Sequence, residues 1–180
     1  MKEIRLHGRG GMGTVKAAEI IVHAMVFKGG YGNSIPFFGF ERQGAPVTAF
    51  VRLDDKPIRP KTQVYSPDCV IVLDRTLRSA IDVFEGIQQD GILIINTPEA
   101  PEAIDAPERV RTVASVDATD LSLRKTGKAI PNTAMLGAFV KCTGWVDIDA
   151  VVDRVASLWG ALNASIVREA YESTRICQRS

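Results

Sequence analysis

Apolar positions along this chain follow two rhythms. CVIVLD (Cys69–Asp74) and ILIIN (Ile92–Asn96) are short runs with almost no polar interruption, and they read as buried parallel strands. Glu3–His7, Val47–Leu53 and Val110–Val116 predict further strands. Elsewhere the apolar spacing lengthens to that of an amphipathic helix. It predicts helices over Thr14–Phe27, from a Thr76 cap to about Phe84, and from an Asn132 cap to a Gly144 stop. Two more cover DIDAVVDRVASLWG (Asp147–Gly160) and Asn163 to about Arg175. Asp54-Asp55-Lys56-Pro57 and Asp90-Gly91 are turns, and Ile58–Val64 is expected to pair back as an edge segment. Lys28–Pro46 reads as a long irregular stretch rich in glycine and aromatics, and Pro98–Pro107 as a proline-rich surface loop.

Buried strands separated by helices imply an α/β fold. The expectation is a Rossmann-like, mixed but mostly parallel sheet with helices on both faces, forming one domain over residues 1–180. A chain of 180 residues has room for a proper core, and 46% hydrophobic with 24% charged residues is ordinary globular composition. The net charge of +1 offers no global field to recruit nucleic acid or an anionic membrane. No apolar run reaches the roughly 20 residues that span a bilayer. Glu3, Arg5 and His7 interrupt any secretion signal, so a cytoplasmic location is expected. Cys69, Cys142 and Cys177 are widely spaced, which argues against a cluster or structural zinc on this chain.

The densest chemistry lies at the start. EIRLHGRGGMG is a strand running into a glycine cluster, and Gly8, Gly10 and Gly13 fit the G-x-G-x-x-G spacing. Glycines let the backbone approach a phosphate, the helix from Thr14 adds free amides and its positive dipole end, and Arg9 adds a cation. A Walker A loop is excluded, because Thr14-Val15 follow Gly13 where Lys-Ser or Lys-Thr is required. The nicotinamide-dinucleotide reading lacks its second contact: the ribose-binding acid expected some 20 residues on is replaced by Lys28, Tyr31, Asn33 and Ser34. A turn whose glycines serve only close packing is the plain alternative.

Two other segments stand out. PFFGFERQGAP (Pro36–Pro46) is too aromatic to leave in water, and its Arg42 has the fork geometry for a carboxylate or phosphate. A contact of Arg42 with Glu41 or backbone that merely holds the loop is the alternative. Lys128-Ala129-Ile130-Pro131-Asn132-Thr133 leads into a helix N-terminus, again a place for anions, unless Asn132 simply caps it. Catalytic groups are scarce. His7 and His23 are the two histidines, and neither a G-x-S-x-G elbow nor an H-E-x-x-H motif occurs. The chain has a place to bind something and little with which to react it.

Taken in order, HGRGGMG (His7–Gly13), FFGFERQGAPVTAFVRL (Phe37–Leu53), DDKPIR (Asp54–Arg59), PDCVIVLD (Pro67–Asp74) and PNTAMLGAF (Pro131–Phe139) carry a family resemblance. The chain resembles the gamma subunit of 2-oxoacid:acceptor oxidoreductases of the pyruvate:ferredoxin type over nearly its whole length. It departs from the family's GRGGQG at Met12, and Gln43 stands where a second arginine is common. The resemblance implies a multisubunit, CoA-acylating enzyme that decarboxylates a 2-oxoacid. Thiamine diphosphate, Mg and [4Fe–4S] clusters would belong to partner alpha, beta and ferredoxin-like subunits, with an acceptor such as ferredoxin and no nucleic-acid or membrane partner. Pyruvate is the default substrate, with branched-chain or aryl 2-oxoacids such as phenylglyoxylate as variants. This subunit would hold none of those cofactors and would not be catalytic alone. Its glycine loop would border a CoA site at a subunit interface, through Arg9, Gly10, Gly11, Met12, Gly13, Arg42 and Asn132. The aromatic loop Tyr31–Phe40 is the expected docking face, unless it folds into the domain's own core. A stand-alone dinucleotide oxidoreductase and a ligand-free scaffold subunit are the competing readings.

Overall fold

Side chains alternate along the central strands and divide the sheet into two unlike faces. The computed structural model describes residues 1–38 and 44–179. Its strands are β1 (Lys2–Arg9), β2 (Tyr31–Phe38), β3 (Pro46–Asp54), β4 (Cys69–Val72), β5 (Gly91–Asn96), β6 (Val110–Val116) and β7 (Arg175–Gln178). They form one sheet in the order β2-β3-β1-β4-β5-β6-β7. The middle, β1-β4-β5-β6, is parallel, whereas β2, β3 and β7 pair antiparallel. The mixed α/β sheet with a parallel core expected from the sequence forms, but helices were expected on both faces and the five α-helices pack on one.

Five α-helices share one core with one face of this sheet: α1 (Thr14–Phe27), α2 (Ala118–Thr126), α3 (Asn132–Thr143), α4 (Ile148–Trp159) and α5 (Ala161–Ser173). Ile4, Leu6, Ala49, Val51, Ile71 and Ile94 point into that core. Gly137 of α3 lets the α5 backbone come close, since a Cβ there would lie 2.2 Å from the Val167 carbonyl oxygen. Asp117 and Asp147 accept hydrogen bonds from the Asp120 and Ala150 amides and so cap α2 and α4.

The opposite face is closed by two 3-10 turns, Arg75–Ser79 and Pro101–Ala103, and by loops whose Leu77, Val83, Ile87 and Ile104 pack on Val70, Val72, Leu93 and Ile95. The helix expected from Thr76 to about Phe84 is therefore only a 3-10 turn, capped by Asp74 rather than Thr76. Beyond it the chain turns so that Arg5, on β1, donates to the Val83 and Glu85 carbonyls at 3.1 and 2.5 Å. The segment 58–64 is not a strand either. Pro57 and Pro60 lack amides for a ladder, and Arg52 takes the Thr62 and Gln63 carbonyls at 2.7 and 2.9 Å.

Three further departures concern the chain after α1, the segment before α3 and residues 175–178. Residues 31–38 are strand, not irregular loop: Pro36 is tolerated because β2 is an edge. Helix α2 and strand β7 were not anticipated. Both are short, and their apolar faces become visible only against α3, α5 and β6.

Candidate functional site

Strand β1 runs through Gly8 and Arg9, so the turn proper is Gly10–Gly13. Gly8 sits where a Cβ would lie 2.0 Å from Thr14 Oγ1, which explains a glycine there by packing alone. Gly13 is different. It has φ +76° at the N-cap of α1, and the helix has no side-chain cap. The first-turn amides of α1 therefore face outward without an intrahelical partner. The Gly10 amide is spent on the Ala45 carbonyl and the Met12 amide on the Arg9 carbonyl, at 3.0 and 3.1 Å.

The structure brings Asn132 to this turn. Its Nδ2 lies 2.4 Å from where a Gly13 Cβ would be. Asn132 is the first residue of α3 and not its cap. Its Oδ1 accepts from the Thr133 amide at 2.8 Å. Two helix N-termini thus converge on one cavity of about 670 Å³. Gly11, Gly13 and Lys16 line it from α1's side, Asn132 and Thr133 from α3, and Ser122, Lys125, Thr126 and Lys128 from α2 and the turn after it. Ile130, Trp159, Leu162 and Ile166 supply an apolar wall. Among the described residues no carboxylate lines the cavity. Lys125 and Lys16 are paired with Glu169 and Glu19 outside the lining, which leaves Lys128 and the amide donors to suit an anionic ligand, and the size is that of a nucleotide or cofactor pocket.

Arg9 is placed otherwise. Its Nε donates to Asp74 Oδ2 at 2.6 Å, one terminal nitrogen to the Gly44 carbonyl at 3.1 Å and the other to Thr76 Oγ1 at 3.0 Å. Burial by itself would raise the Asp74 carboxyl, but hydrogen bonds from Thr76 and from Arg9 outweigh it and hold that group below the usual range. Arg9 therefore braces the turn against β4 and the chain before β3. Arg42 and Gln43 lie outside the described residues. Met12 sits in the turn beside the cavity-lining Gly11 and Gly13. Sequence reasoning named Lys128 within its segment but missed Ser122, Lys125 and Lys16. Those three line one cavity only when α2 folds against α3 and α5.

The topology also bears on the dinucleotide reading. In a nucleotide-binding βαβ unit, the strand after the first helix lies parallel beside the first strand and brings the ribose-binding acid to the glycine turn. Here that next strand, β2, is not a neighbour of β1: β3 lies between them and runs antiparallel to both. His7 is no candidate acid or base. It is buried, its Nε2 accepts from Arg5 Nε at 3.1 Å, and its Nδ1 has no hydrogen-bond partner. Cys69 and Cys142 lie at the helical core and Cys177 on β7, and burial pushes the Cys142 thiol up to about 12. Among the described residues no group of three or more His, Cys, Asp or Glu side chains is placed to hold a metal ion. None of their helices is long and apolar enough to cross a membrane.

The fold and cleft define a mixed α/β subunit with a cation-rimmed cavity where two helix N-termini meet, and without a catalytic constellation among the described residues. Residues 3–173 match the family described as pyruvate ferredoxin/flavodoxin oxidoreductase, and the chain belongs to that family. It is 48% identical over 98% of both chains to a Pyrococcus abyssi protein named pyruvate/ketoisovalerate oxidoreductases common subunit gamma. It is 44% identical, over 84% of this chain and 80% of the other, to the gamma subunit of NADH-dependent phenylglyoxylate dehydrogenase from Aromatoleum evansii. The crystal structure of pyruvate oxidoreductase subunit PORC from Thermotoga maritima superposes with a TM-score of 0.86 at 35% identity, covering 98% of each chain. The chain is a gamma-type subunit of a 2-oxoacid oxidoreductase, as its motifs implied.

Proposed function

We propose that this subunit holds the phosphorylated end of coenzyme A in a CoA-acylating 2-oxoacid:acceptor oxidoreductase. The observation that carries the reading is the meeting of the Gly10–Gly13 turn and Asn132 at a lysine-rimmed cavity with no lining carboxylate among the described residues. The outward amides at the start of α1 and α3 suit a pyrophosphate, and the Ile130–Trp159–Leu162–Ile166 wall suits the adenine. Arg9 borders the site as the brace that fixes the turn; Arg42, outside the described residues, is assigned to it by the family resemblance alone.

Thiamine diphosphate with Mg supplies decarboxylation and [4Fe–4S] clusters supply electron transfer in this reading, on alpha, beta and ferredoxin-like partners. Among the described residues no group of three or more His, Cys, Asp or Glu side chains is placed to hold a metal ion, which agrees with both groups belonging to the partners in this reading. What this chain does is bind and orient the acyl acceptor. Its relatives' names place gamma subunits with pyruvate, ketoisovalerate and phenylglyoxylate enzymes, and one of them is common to two. That pattern agrees with the 2-oxoacid and the final electron acceptor being chosen elsewhere. Pyruvate is the default substrate, ferredoxin the default acceptor and the cytoplasm the expected location.

The test is Asn132→Ala in the assembled enzyme. Loss of the amide over the glycine turn should weaken CoA binding about tenfold by calorimetry and raise its apparent KM, with the KM for the 2-oxoacid unmoved. An unaltered CoA affinity removes the site from this cavity.

A further inference from the structure

The cavity has two chemically different halves. At the α1 and α3 end the donors are amides, the Asn132 carboxamide and one ammonium group, Lys16, whose charge is already paired with Glu19. At the α2 end they are ammonium groups and a hydroxyl. Ser122 is 2% exposed, lines the cavity, and its Oγ has no hydrogen-bond partner. A buried hydroxyl left in that state is costly, and a ligand oxygen in the cavity relieves it. Lys125 is held by Glu169 at 2.7 Å and Lys16 by Glu19 at 2.5 Å, whereas Lys128 has no carboxylate partner among the described residues. The turn carrying Lys128 is pinned: its amide donates to Thr126 Oγ1 at 3.3 Å, and that hydroxyl donates to the Ser122 carbonyl at 2.8 Å.

Helix α2 ends here at Gly127, so its dipole presents the equivalent of about half a negative charge to any anion. An anion is favoured at this end only if a full cation outweighs that field; Lys125 is paired with Glu169, so Lys128, with no carboxylate partner among the described residues, supplies it. Amides suffice for the singly charged phosphates of a pyrophosphate bridge. A terminal monoester, close to a dianion at neutral pH, is better matched by ammonium groups.

We infer that Ser122, Lys125 and Lys128 form a phosphomonoester subsite that reads the ribose 3′-phosphate of the carrier and separates CoA from its 3′-dephospho form, an assignment that rests on the nucleotide site proposed above. Lys128 is the specificity-determining cation, and the unpartnered Ser122 hydroxyl donates a hydrogen bond.

The experiment measures dissociation constants of CoA and 3′-dephospho-CoA by calorimetry on the assembled enzyme. The unmodified enzyme prefers CoA by tenfold or more. Lys128→Gln weakens CoA about tenfold and leaves dephospho-CoA within twofold, so the preference collapses. Ser122→Ala shifts it the same way by less, and Lys128→Arg restores most of it. Equal losses for both ligands, or none for either, overturn the subsite. Asn132→Ala run in parallel tells the two failures apart. If it weakens both ligands while Lys128→Gln does not discriminate, the nucleotide site stands and the subsite falls. If neither variant changes any affinity, both fall.

Discussion

The two faces of the sheet are closed by opposite means. On one, five helices bring their own hydrogen-bonded backbones, and burial is almost wholly apolar. On the other, irregular chain lies on the strands, and its carbonyls have no ladder to join. Buried arginines supply the donors: Arg5 clamps the 83–85 turn, and Arg52, paired with Glu3 at 2.7 Å, clamps 62–63. An irregular covering thus needs charged side chains inside the sheet, whereas a helical covering needs small ones such as Gly137. The cavity opens on the helical side, because only helices offer aligned amides at their ends.

The sharpest way to break this contrast is Arg5→Met. The Val83 and Glu85 carbonyls and His7 Nε2 would all lose their donor, so the folded state should lose about 4 kcal/mol in denaturant titration. If the loss is below 1 kcal/mol, the arginine is not what holds that face together. Next comes Gly137→Ala on the helical face. Its Cβ would press on the Val167 carbonyl and the Tyr171 amide, so α3 and α5 must separate. About 3 kcal/mol is expected. A neutral result would mean that the α3–α5 crossing is loose.

The third effect is a pH dependence confined to the arginine face. Burial first, and then the Arg5 charge, push His7 down to about 4 from an ordinary 6.5. Between those values the unfolded chain binds a proton that the folded chain refuses. Stability from this group is therefore complete above pH 6.5 and is lost as pH falls toward 4. The loss should reach about 2.5 kcal/mol by pH 4.5. Comparing unfolding curves of the native protein and His7→Gln isolates it, since glutamine still accepts from Arg5 and does not titrate. Parallel pH profiles for the two proteins would show that His7 is not the group responsible.

Much of this was legible in the sequence. The unbroken runs at Cys69–Asp74 and Ile92–Asn96 place the central strands, because a strand covered on both faces has no polar position to show. Thr14–Phe27 and the Gly144 stop mark helix ends through spacing and a glycine at positive φ. The five ordered motifs gave the family. Less was legible where local preference and tertiary demand disagree. Thr76–Phe84 has helical spacing, yet Arg5 draws the Val83 and Glu85 carbonyls out of any helix. Tyr31–Phe38 looks irregular, yet β3 offers it a ladder.

Arg9 shows the limit at the site itself. From sequence it is a cation in a phosphate loop; in the structure Asp74, Thr76 and Gly44, distant along the chain, claim its donors. Gly13 and Asn132 were assigned to one site by the family resemblance alone; the contact of the Asn132 carboxamide with the Gly13 backbone is visible only in the fold.

What the residues alone determined is the alternation of strands and helices, the glycine turn and the family, for these are local patterns read along one strand or one helical turn. What only the tertiary structure decided is which donors remain free for a ligand. A side chain's partners are set by the contacts that close the chain on itself, and Ser122, Lys128 and Asn132 share a cavity only because α2 and α3 pack beside the turn that follows β1.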